Sequence, residues 1–443
     1  MLVAQIAKMT ASPTPIRLGR LALVCALAFA ARAQEPVFTP FHANGIYQLG
    51  ETAGWNVALP HGATAPAGAY TYIIRKNNFD IIAAGALDLS SGAATIETAL
   101  GEPAMLYVEV TARVAPGAPP AKPPAPIHLG AAVSPWLLQP SVPRPADFDS
   151  FWDSKLKALA AIPIDPVLTP AESAQSGVEL YTVKLSSAGS HVRGYLAKPA
   201  NEGKFPAMVI FQYAGVYALQ PKTATDRAAE GWLALDVDSH DLAPTQAAGV
   251  SPAYPSIGNT DRETSYFLNM YLRDSRAIDY IATRPDWDGK TIVVTGTSMG
   301  GQQSLVAAGL NPKVTAVIVN EPSGADSNGD LHGRQAGYPN WPSANLKVME
   351  TALYFDAVNF APRIKAPVLA AMGFIDTVAP PVGIWTALDQ VPGPKEAVPM
   401  VDSDHNHITP DKQENFHARS AEVLAQILHG GAFRPDETLT RRK

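Results

Sequence analysis

Two patterns of hydrophobic and polar positions divide the chain. Before about residue 135, short runs of β-branched and aromatic residues are separated by Gly and Pro, whereas after Pro145 apolar strand-like runs alternate with longer segments of helical spacing. Short, regularly interrupted strands are typical of a β-sandwich, and strands that alternate with helices are typical of a mostly parallel sheet covered on both faces. The pattern therefore predicts an all-β immunoglobulin-like domain followed by an α/β domain.

The first domain is predicted over residues 34–138 and the second over 139–435. In the first domain we expect strands at 45–47, 55–59, 70–74, 94–96, 105–110 and 127–133. The Pro-rich run 115–126 is expected to be a hairpin loop rather than a linker between domains, because the residues that follow it have the pattern of one more strand of the same domain.

The second domain is predicted to begin with an amphipathic helix near Pro145, because five apolar residues follow helical spacing there, namely Phe148, Phe151, Trp152, Leu156 and Leu159. Strands are expected at 179–187, 191–200, 206–213, 232–238, 290–297, 314–320, 366–373 and 396–401. Helices are expected at 266–283, directly after Ser298, at 381–390 and at 412–429.

The first 33 residues have the features of a secretory signal. They carry four basic residues and no acidic ones, an apolar stretch at 21–31, and small residues at a cleavage site after Ala33. About 11 apolar residues are too few to cross roughly 30 Å of hydrocarbon as a helix. The sequence therefore predicts a secreted or periplasmic protein that is free of the membrane once the signal has been removed.

The charge and cysteine content restrict the chemistry of the mature chain. The leader holds four of the 34 Lys and Arg residues, which leaves 30 against 40 Asp and Glu. A net charge of about −10 argues against nucleic acid or an anionic membrane as a partner. The only cysteine, Cys25, lies in the leader, so disulfides, thiolate metal sites and a cysteine nucleophile are not expected.

A candidate nucleophile lies where a β-branched run ends. Residues 291–301 (TIVVTGTSMGG) place Ser298 between glycines at 296 and 300, and an apolar helical segment follows. A serine on a sharp turn from strand to helix needs glycines beside it, because the backbone on either side approaches closely. The segment therefore predicts a nucleophile elbow of the Gly-x-Ser-x-Gly type.

A serine nucleophile requires a histidine base and a carboxylate that orients the histidine. In open α/β sheets of this kind the partners follow in the order Ser, Asp, His, after later strands of the sheet. Asp376 follows the predicted strand 366–373, and His405 and His407 both follow the predicted strand 396–401. The residues alone leave both histidines as candidates for the base.

Three stretches resemble the acetyl xylan esterase/cephalosporin-C deacetylase family of α/β-hydrolases: PADFDSFW at 145–152, VTGTSMGG at 294–301 and DTVAPP at 376–381. The resemblance covers about residues 145–430. It implies deacetylation of sugar esters, with Ser298, Asp376 and a histidine as the triad. The family's spacing from aspartate to histidine matches His405, and His407 remains the alternative because Asn406 replaces the glutamate that follows the family's histidine.

Acyl transfer also needs two backbone N–H groups that face the developing oxyanion. The amide of Met299, directly after the nucleophile, is one candidate. The second should come from the loop after the predicted strand 206–213, where similar proteins have His-Gly-Tyr and this chain has Gln212, Tyr213 and Ala214. The position of the family's tyrosine falls on Ala214, so its amide is the second candidate.

Substrate contacts are predicted from two segments. Gln212 and Tyr213 belong to the altered oxyanion loop, and Tyr338 and Trp341 belong to a polar segment at 322–346. The aromatic rings of the second segment would either stack on sugar rings or act as local packing anchors.

Two polar clusters are predicted to have structural roles. Residues 236–241 (DVDSHD) are expected to end a strand and cap the next segment rather than bind a metal, because alternate strand positions point to opposite faces. Arg273, Asp274 and Arg276 are expected to form a solvated or ion-paired helix face.

The expected function is that of a secreted serine carbohydrate esterase that removes O-acetyl groups from xylan or its oligosaccharides, with no metal or organic cofactor. Two alternatives remain open at this point: an esterase or peptidase of the same fold acting on other acyl groups, and a non-catalytic glycan-binding protein on the same scaffold. The altered oxyanion loop favours the latter and the complete triad opposes it. The resemblance is also compatible with an oligomeric state.

Overall fold

The computed structural model describes residues 35–65, 68–113 and 124–440. The strands are β1 Val37–Pro40, β2 Ile46–Tyr47, β3 Thr52–Ala58, β4 Tyr70–Lys76, β5 Asp80–Leu87, β6 Ala93–Ala99, β7 Ala104–Ala112, β8 Ile127–Val133, β9 Val167–Ala171, β10 Val178–Ser186, β11 His191–Pro199, β12 Phe205–Phe211, β13 Leu233–Asp238, β14 Trp287–Thr297, β15 Ala316–Asn320, β16 Val368–Gly373 and β17 Lys395–Met400. The α-helices are α1 Phe148–Ala160, α2 Pro221–Glu230, α3 Tyr266–Ile281, α4 Met299–Leu310, α5 Leu346–Ala352, α6 Ala357–Phe360, α7 Pro381–Gln390 and α8 Glu414–Leu428.

The first eight strands form two sheets, with the orders β1-β3-β6 and β2-β8-β7-β4-β5. Their inner faces share one apolar core, to which the smaller sheet contributes Trp55 and Ile96 and the larger sheet contributes Ile74 and Val108. All strand pairs are antiparallel except β2 with β8. The region is therefore all-β as predicted, while the immunoglobulin-like assignment and the boundary at residue 138 stay predictions.

The strands that flank the Pro-rich run, β7 and β8, pair antiparallel, as expected for a hairpin. Residues 115–123 of that run and the whole predicted leader, 1–33, lie outside the described ranges. Among the described helices, none is long and apolar enough to cross a membrane.

The remaining strands form a nine-stranded sheet in the order β17-β16-β15-β14-β12-β13-β11-β10-β9. Six adjacent strands pair with one another in parallel, namely β13, β12, β14, β15, β16 and β17. Strands β11, β10 and β9 extend the sheet beyond β13 by antiparallel pairing. Helices α2 and α8 pack on one face, and α3, α4 and α7 pack on the other. The mostly parallel sheet with both faces covered confirms the predicted architecture.

Several elements were not predicted, and their composition explains why. Helix α2 buries little more than Ala224 and Ala228 and has no large apolar stripe, although Pro221 begins it and Gly231 ends it with φ of 115°. Strand β5 exposes Ile81 and Ile82 on a sheet edge, so it lacks the alternation of a half-buried strand.

The β region packs directly against the loop that follows β16. A Cβ atom on Gly130 of β8 would lie 2.5 Å from the Cβ and 2.6 Å from the carbonyl oxygen of Phe374. Only glycine permits this approach, because real Cβ atoms do not come within 3.0 Å of such neighbours. Phe374 lies two residues before Asp376, so the two regions meet behind the predicted triad acid.

Candidate active site

Ser298 lies on the turn between β14 and α4. Its backbone adopts φ of 58° and ψ of −123°, which is a strained conformation for a residue with a side chain. A Cβ on Gly300 would lie 2.2 Å from the carbonyl oxygen of Phe211, and one on Gly296 would lie 2.4 Å from the carbonyl carbon of Gly300. The glycines on both sides are therefore required by backbone contact, and the turn holds the serine at the carboxyl edge of the sheet.

A continuous chain of hydrogen bonds joins the three predicted triad residues. His405 Nε2 lies 2.8 Å from Ser298 Oγ, and His405 Nδ1 lies 2.7 Å from Asp376 Oδ2. A carboxylate oxygen only accepts, so Nδ1 carries the proton and Nε2 is left to accept from the serine hydroxyl. This arrangement lets the histidine remove the serine proton while the aspartate fixes the tautomer of the ring.

The structure separates the two candidate histidines. The His407 side chain is 84% exposed and its Nδ1 lies 3.0 Å from Asp404 Oδ2, whereas the His405 side chain is 13% exposed and contacts Ser298. Only His405 is within hydrogen-bonding distance of the serine. Burial by itself lowers the pKa of His405, but the hydrogen bond and the charge of Asp376, followed by the charge of Glu321, raise this pKa above its ordinary value.

Asp376 is held by its own loop. Its Oδ1 accepts hydrogen bonds from the backbone N–H groups of Val378, at 2.7 Å, and Ala379, at 2.8 Å. The side chain is fully buried, so both oxygens are committed to protein donors. The loop begins at the carboxyl end of β16 and leads into α7, which fixes the direction of the carboxylate.

A second carboxylate next to His405 was not predicted. Glu321 directly follows β15, is completely buried, and places Oε2 3.9 Å from His405 Nδ1. Its Oε1 accepts from the hydroxyl of Ser403 at 3.1 Å, while Oε2 has no hydrogen-bond partner among the described residues. Burial first, and then the charge of Asp376, raise the pKa of Glu321 to about 7. Its place at the carboxyl end of a strand was the signal in the sequence that would have drawn attention to it.

Glu321, Asp376 and His405 form a group whose potential ligand atoms lie within 4.8 Å of one another. The hydrogen bonds of Asp376 oppose a metal-site interpretation, because one of its oxygens already accepts two amide N–H groups and the other faces His405 Nδ1. Only Glu321 Oε2 is free for a ligand, which is a poor donor set for a metal ion. The group fits a hydrogen-bonded triad with a neighbouring acid.

The predicted oxyanion donors lie on two elements that meet at Ser298. Met299 is the first residue of α4, and Ala214 lies in the loop after β12. Neither amide N–H donates a hydrogen bond within the described part of the chain. The Met299 N–H is at a helix N-terminus, where it has no intrahelical partner, and the Ala214 N–H lies in a loop, so both amides are candidates to bind an oxyanion.

The loop that carries Ala214 is fixed by buried side chains. Gln212 donates from Nε2 to the Tyr217 carbonyl at 3.0 Å and accepts at Oε1 from the Ser239 amide at 3.0 Å. His240 lies 2.9 Å from the Gly215 carbonyl through Nε2. Burial lowers the pKa of His240 to about 4, so the neutral ring donates from Nε2 and accepts at Nδ1 from the Tyr266 hydroxyl.

A cavity of about 450 Å³ opens on Ser298, and its lining residues are Tyr213, Ala214, Thr297, Ser298, Tyr338, Val378, His405, Asn406 and Ile408. Two predicted substrate contacts, Tyr213 and Tyr338, are among them, and Tyr213 is 55% exposed. The other two lie elsewhere. Gln212 is buried and supports the loop, and Trp341 is 6% exposed and donates from Nε1 to the Pro255 carbonyl, which makes it a packing anchor.

Residues 238–241 end β13 and cap the following turn, as predicted, whereas Asp236 lies within β13. Asp238 Oδ1 accepts from the amides of His240, at 2.8 Å, and Leu242, at 2.9 Å. The neighbouring carboxylate of Asp241 accepts from the amide of His191 and from Arg193 Nε. Both carboxylates are therefore used in local structure.

The prediction of a solvated or ion-paired face on α3 is wrong. Arg273, Asp274 and Arg276 are exposed by only 4%, 0% and 3%. The two arginines donate to backbone carbonyls of Ser239 and Leu159 instead of pairing with carboxylates. Helix α3 is covered by α1 and α4, so its polar residues lie between packed elements rather than in solvent.

A mostly parallel sheet with a strained serine at its carboxyl edge, hydrogen-bonded in turn to a histidine and an aspartate, defines an α/β-hydrolase. The comparisons with known proteins identify its family. The acetyl xylan esterase family model matches residues 138–328 and 338–420, and this protein belongs to that family.

The chain is 31% identical over 409 residues to an acetyl esterase of Xylanibacter ruminicola, which covers 88% of this chain and 91% of that one. Two solved structures share the fold. The acetyl xylan esterase of a Paenibacillus species matches with a TM-score of 0.58 and 24% identity, over 67% of this chain and 98% of its own. That of a Thermoanaerobacterium species matches with a TM-score of 0.55 and 22% identity, over 66% and 96%.

Proposed function

We propose that this protein is a serine carbohydrate esterase that removes O-acetyl groups from xylan or its oligosaccharides through an acetyl-enzyme. The observation that carries the proposal is the hydrogen-bonded chain from Ser298 through His405 to Asp376. Membership of the acetyl xylan esterase family supports a carbohydrate ester as substrate. The relative from Xylanibacter ruminicola, named an acetyl esterase, supports acetyl as the acyl group.

In the first half of the reaction, Ser298 Oγ attacks the acetyl carbonyl carbon while His405 Nε2 takes the hydroxyl proton. The carbonyl oxygen becomes an oxyanion and is bound by the amides of Met299 and Ala214. The C–O bond to the sugar then breaks, and His405 returns the proton to the sugar oxygen as it leaves. Asp376 stays ionised and stabilises the imidazolium.

In the second half, a water molecule takes the place of the sugar alcohol. His405 Nε2 accepts a proton from this water as its oxygen attacks the acetyl carbon of the acyl-enzyme. Collapse of the second tetrahedral intermediate breaks the bond to Ser298 Oγ and returns the proton to the serine. Acetate is released, and the triad is restored without any cofactor taking part.

The nucleophile assignment is tested by Ser298→Ala with 4-nitrophenyl acetate as substrate. We expect a loss of kcat of about 10⁴-fold or more, since the hydroxyl is the attacking group. Ser154→Ala, an exposed serine on α1, is the matched control and should keep wild-type kcat. A rate that survives in Ser298→Ala would overturn the assignment.

The substrate class is tested by measuring acetate release from acetylated xylan beside the hydrolysis of 4-nitrophenyl esters of increasing acyl length. We expect acetate release from the polysaccharide and a steep fall in kcat/KM beyond short acyl chains. A preference for long chains would favour an esterase for other acyl groups. Binding of xylan with no ester hydrolysis would favour the glycan-binding alternative.

We also propose that the protein is exported, because residues 1–33 have the composition of a secretory signal. N-terminal sequencing of the protein recovered from the medium or periplasm of an expressing culture tests this. A mature chain that begins at Gln34 would support the proposal, and a cytoplasmic chain that retains residue 1 would contradict it.

A further inference from the structure

A second cavity lies next to the catalytic one at the carboxyl edge of the sheet. It encloses about 350 Å³, and its lining includes Tyr213, Tyr217, Thr223, Asp236, Thr295 and Thr297. Tyr213 and Thr297 line both cavities, so one partition separates the two spaces. We call this second cavity the Asp236 cavity. Its volume suits a small organic ligand, and the mechanism above does not use it.

The wall of this cavity contains a buried carboxyl group, that of Asp236. Asp236 is 3% exposed and lies in β13 among apolar residues, opposite Ile210 of β12 and Tyr195 of β11. No hydrogen bond to its carboxyl group is found within the described part of the chain, and the buried Arg273 of α3 donates to the Ser239 carbonyl. Buried carboxyl groups in folded proteins nearly always have partners, because an unsatisfied one destabilises the fold.

The groups around Asp236 suit a neutral polyhydroxylated ligand. Thr295 lies opposite Ile210 and therefore on the same face of the sheet as Asp236, and Thr297 follows two positions later on β14. The exposed ring of Tyr213 stacks on Tyr217, with centroids 4.6 Å apart and planes at 28°. A carboxyl group, hydroxyls and an aromatic face can together bind the hydroxyls and the C–H face of a pyranose. A single carboxyl group among apolar neighbours is a poor site for a metal cation.

We propose that the Asp236 cavity is a saccharide subsite, which binds a sugar unit of the polysaccharide next to the acetylated unit held at Ser298. The inference rests on the proposed function, since it assumes a saccharide ester as substrate. The Asp236 carboxyl group hydrogen-bonds to sugar hydroxyls and Tyr213 supports the ring at the partition. The enzyme therefore selects acetylated oligosaccharides over acetylated monosaccharides, because only a longer substrate reaches both cavities.

The test compares kcat/KM for an acetylated xylo-oligosaccharide with kcat/KM for 4-nitrophenyl acetate in the same preparation. We expect Asp236→Asn to lower the ratio of the two values about tenfold or more. Thr223→Trp, which adds bulk at an exposed position on the rim, should lower the ratio similarly without altering the core. Glu230→Gln, exposed at the far end of α2, is the matched control and should keep the wild-type ratio.

A direct binding measurement distinguishes this proposal from the proposed function. Ser298→Ala retains both cavities. Isothermal titration calorimetry of this variant with unacetylated xylo-oligosaccharides should show binding, and the affinity should fall about tenfold when Asp236→Asn is added. An unchanged ratio in both cavity variants, or equal binding by Ser298→Ala with and without Asp236→Asn, would overturn the subsite. Loss of hydrolysis of every acetate ester by the wild-type protein would instead contradict the proposed esterase function.

Discussion

At the scale of single residues, the site consists of one strained serine, one histidine and two buried carboxyl groups with different tasks. Both oxygens of Asp376 have hydrogen-bond partners, one in His405 and the other in two backbone amides, so the carboxyl group is held in the direction of the histidine. Glu321 has one free oxygen and a pKa raised to about 7, chiefly by burial. The difference in hydrogen bonding separates the roles of the two acids.

The choice between the two histidines gives the first prediction. We expect His405→Ala to lower kcat about 10⁴-fold or more, because the serine then has no base. His407→Ala should stay within about twofold of wild type, since that ring is 84% exposed and contacts only Asp404. Both are measured with 4-nitrophenyl acetate. A large loss in His407→Ala together with a small one in His405→Ala would contradict the geometry.

The second prediction concerns Glu321. The base works in its neutral form, so activity is lost as the pH falls through the pKa of His405, and a negative charge nearby moves that loss to higher pH. Glu321→Gln removes the charge while an amide oxygen can still accept from Ser403. We expect the acidic limb of the pH profile of kcat/KM to move down by less than about 1 pH unit, because Glu321, with its pKa raised to about 7, is itself partly neutral at the low-pH end of the profile.

The control for Glu321→Gln is Glu414→Gln, which removes one exposed carboxylate from the first turn of α8. Its acidic limb should coincide with that of wild type. If Glu321→Gln lowers the plateau of kcat/KM without moving the limb, Glu321 would have a packing role only.

At the scale of elements, the turn between β14 and α4 depends on close backbone contacts that leave no room for a side chain at Gly296 or Gly300. Gly300 lies against the carbonyl of Phe211 on the neighbouring strand β12, so the elbow also sets the distance to the oxyanion loop that follows β12. The loop is held in turn by Gln212 and His240, two buried side chains bonded to its carbonyls. The candidate nucleophile and the proposed oxyanion donors are therefore positioned by one connected set of contacts.

The third prediction tests this element. Gly300→Ala places a Cβ 2.2 Å from the Phe211 carbonyl oxygen, so either β12 or α4 has to move. We expect a destabilisation of about 3 kcal/mol and a loss of activity larger than the loss of folded protein. Thermal unfolding and kcat are the measurements. Gly101→Ala, where nothing lies within 4 Å of the added carbon, should match wild type in both.

At the scale of the whole molecule, the β region supports the loop of the triad acid. Gly130 lies on Phe374, and Asn78 bonds to Gln335 at 2.6 Å, which in turn donates to the carbonyl of Thr377 at 2.8 Å. These contacts reach the loop on both sides of Asp376. The alignment with the Xylanibacter ruminicola relative spans 409 residues, more than the α/β region contains, so part of the β region is shared with that protein.

The fourth prediction follows from that packing. Gly130→Ala brings a Cβ within 2.6 Å of the Phe374 backbone, so we expect Phe374 to shift and the loop of Asp376 to shift with it. The midpoint of thermal unfolding should fall, by a destabilisation of roughly 1–3 kcal/mol, and kcat should fall severalfold. A variant with the lower midpoint but wild-type kcat would show that the β region stabilises the protein without supporting the acid.

The sequence by itself determined the layer structure and the candidate nucleophile, because both are properties of short segments. The alternation of apolar runs predicted the parallel sheet, and the glycines beside Ser298 predicted the elbow. It missed α2 and β5, whose buried faces are made of alanines or lie at an edge, so their hydrophobic periodicity is weak.

The tertiary structure decided which side chains meet. His405 lies 107 residues from Ser298 and 29 from Asp376 along the chain, and only the order of β14, β16 and β17 in the sheet brings them within hydrogen-bonding distance while His407 turns to solvent. For the same reason Glu321 was not recognised in the sequence, and Asp236 was predicted to have only a structural role. The role of a carboxyl group depends on what is buried around it, and that is set by contacts between elements distant in the chain.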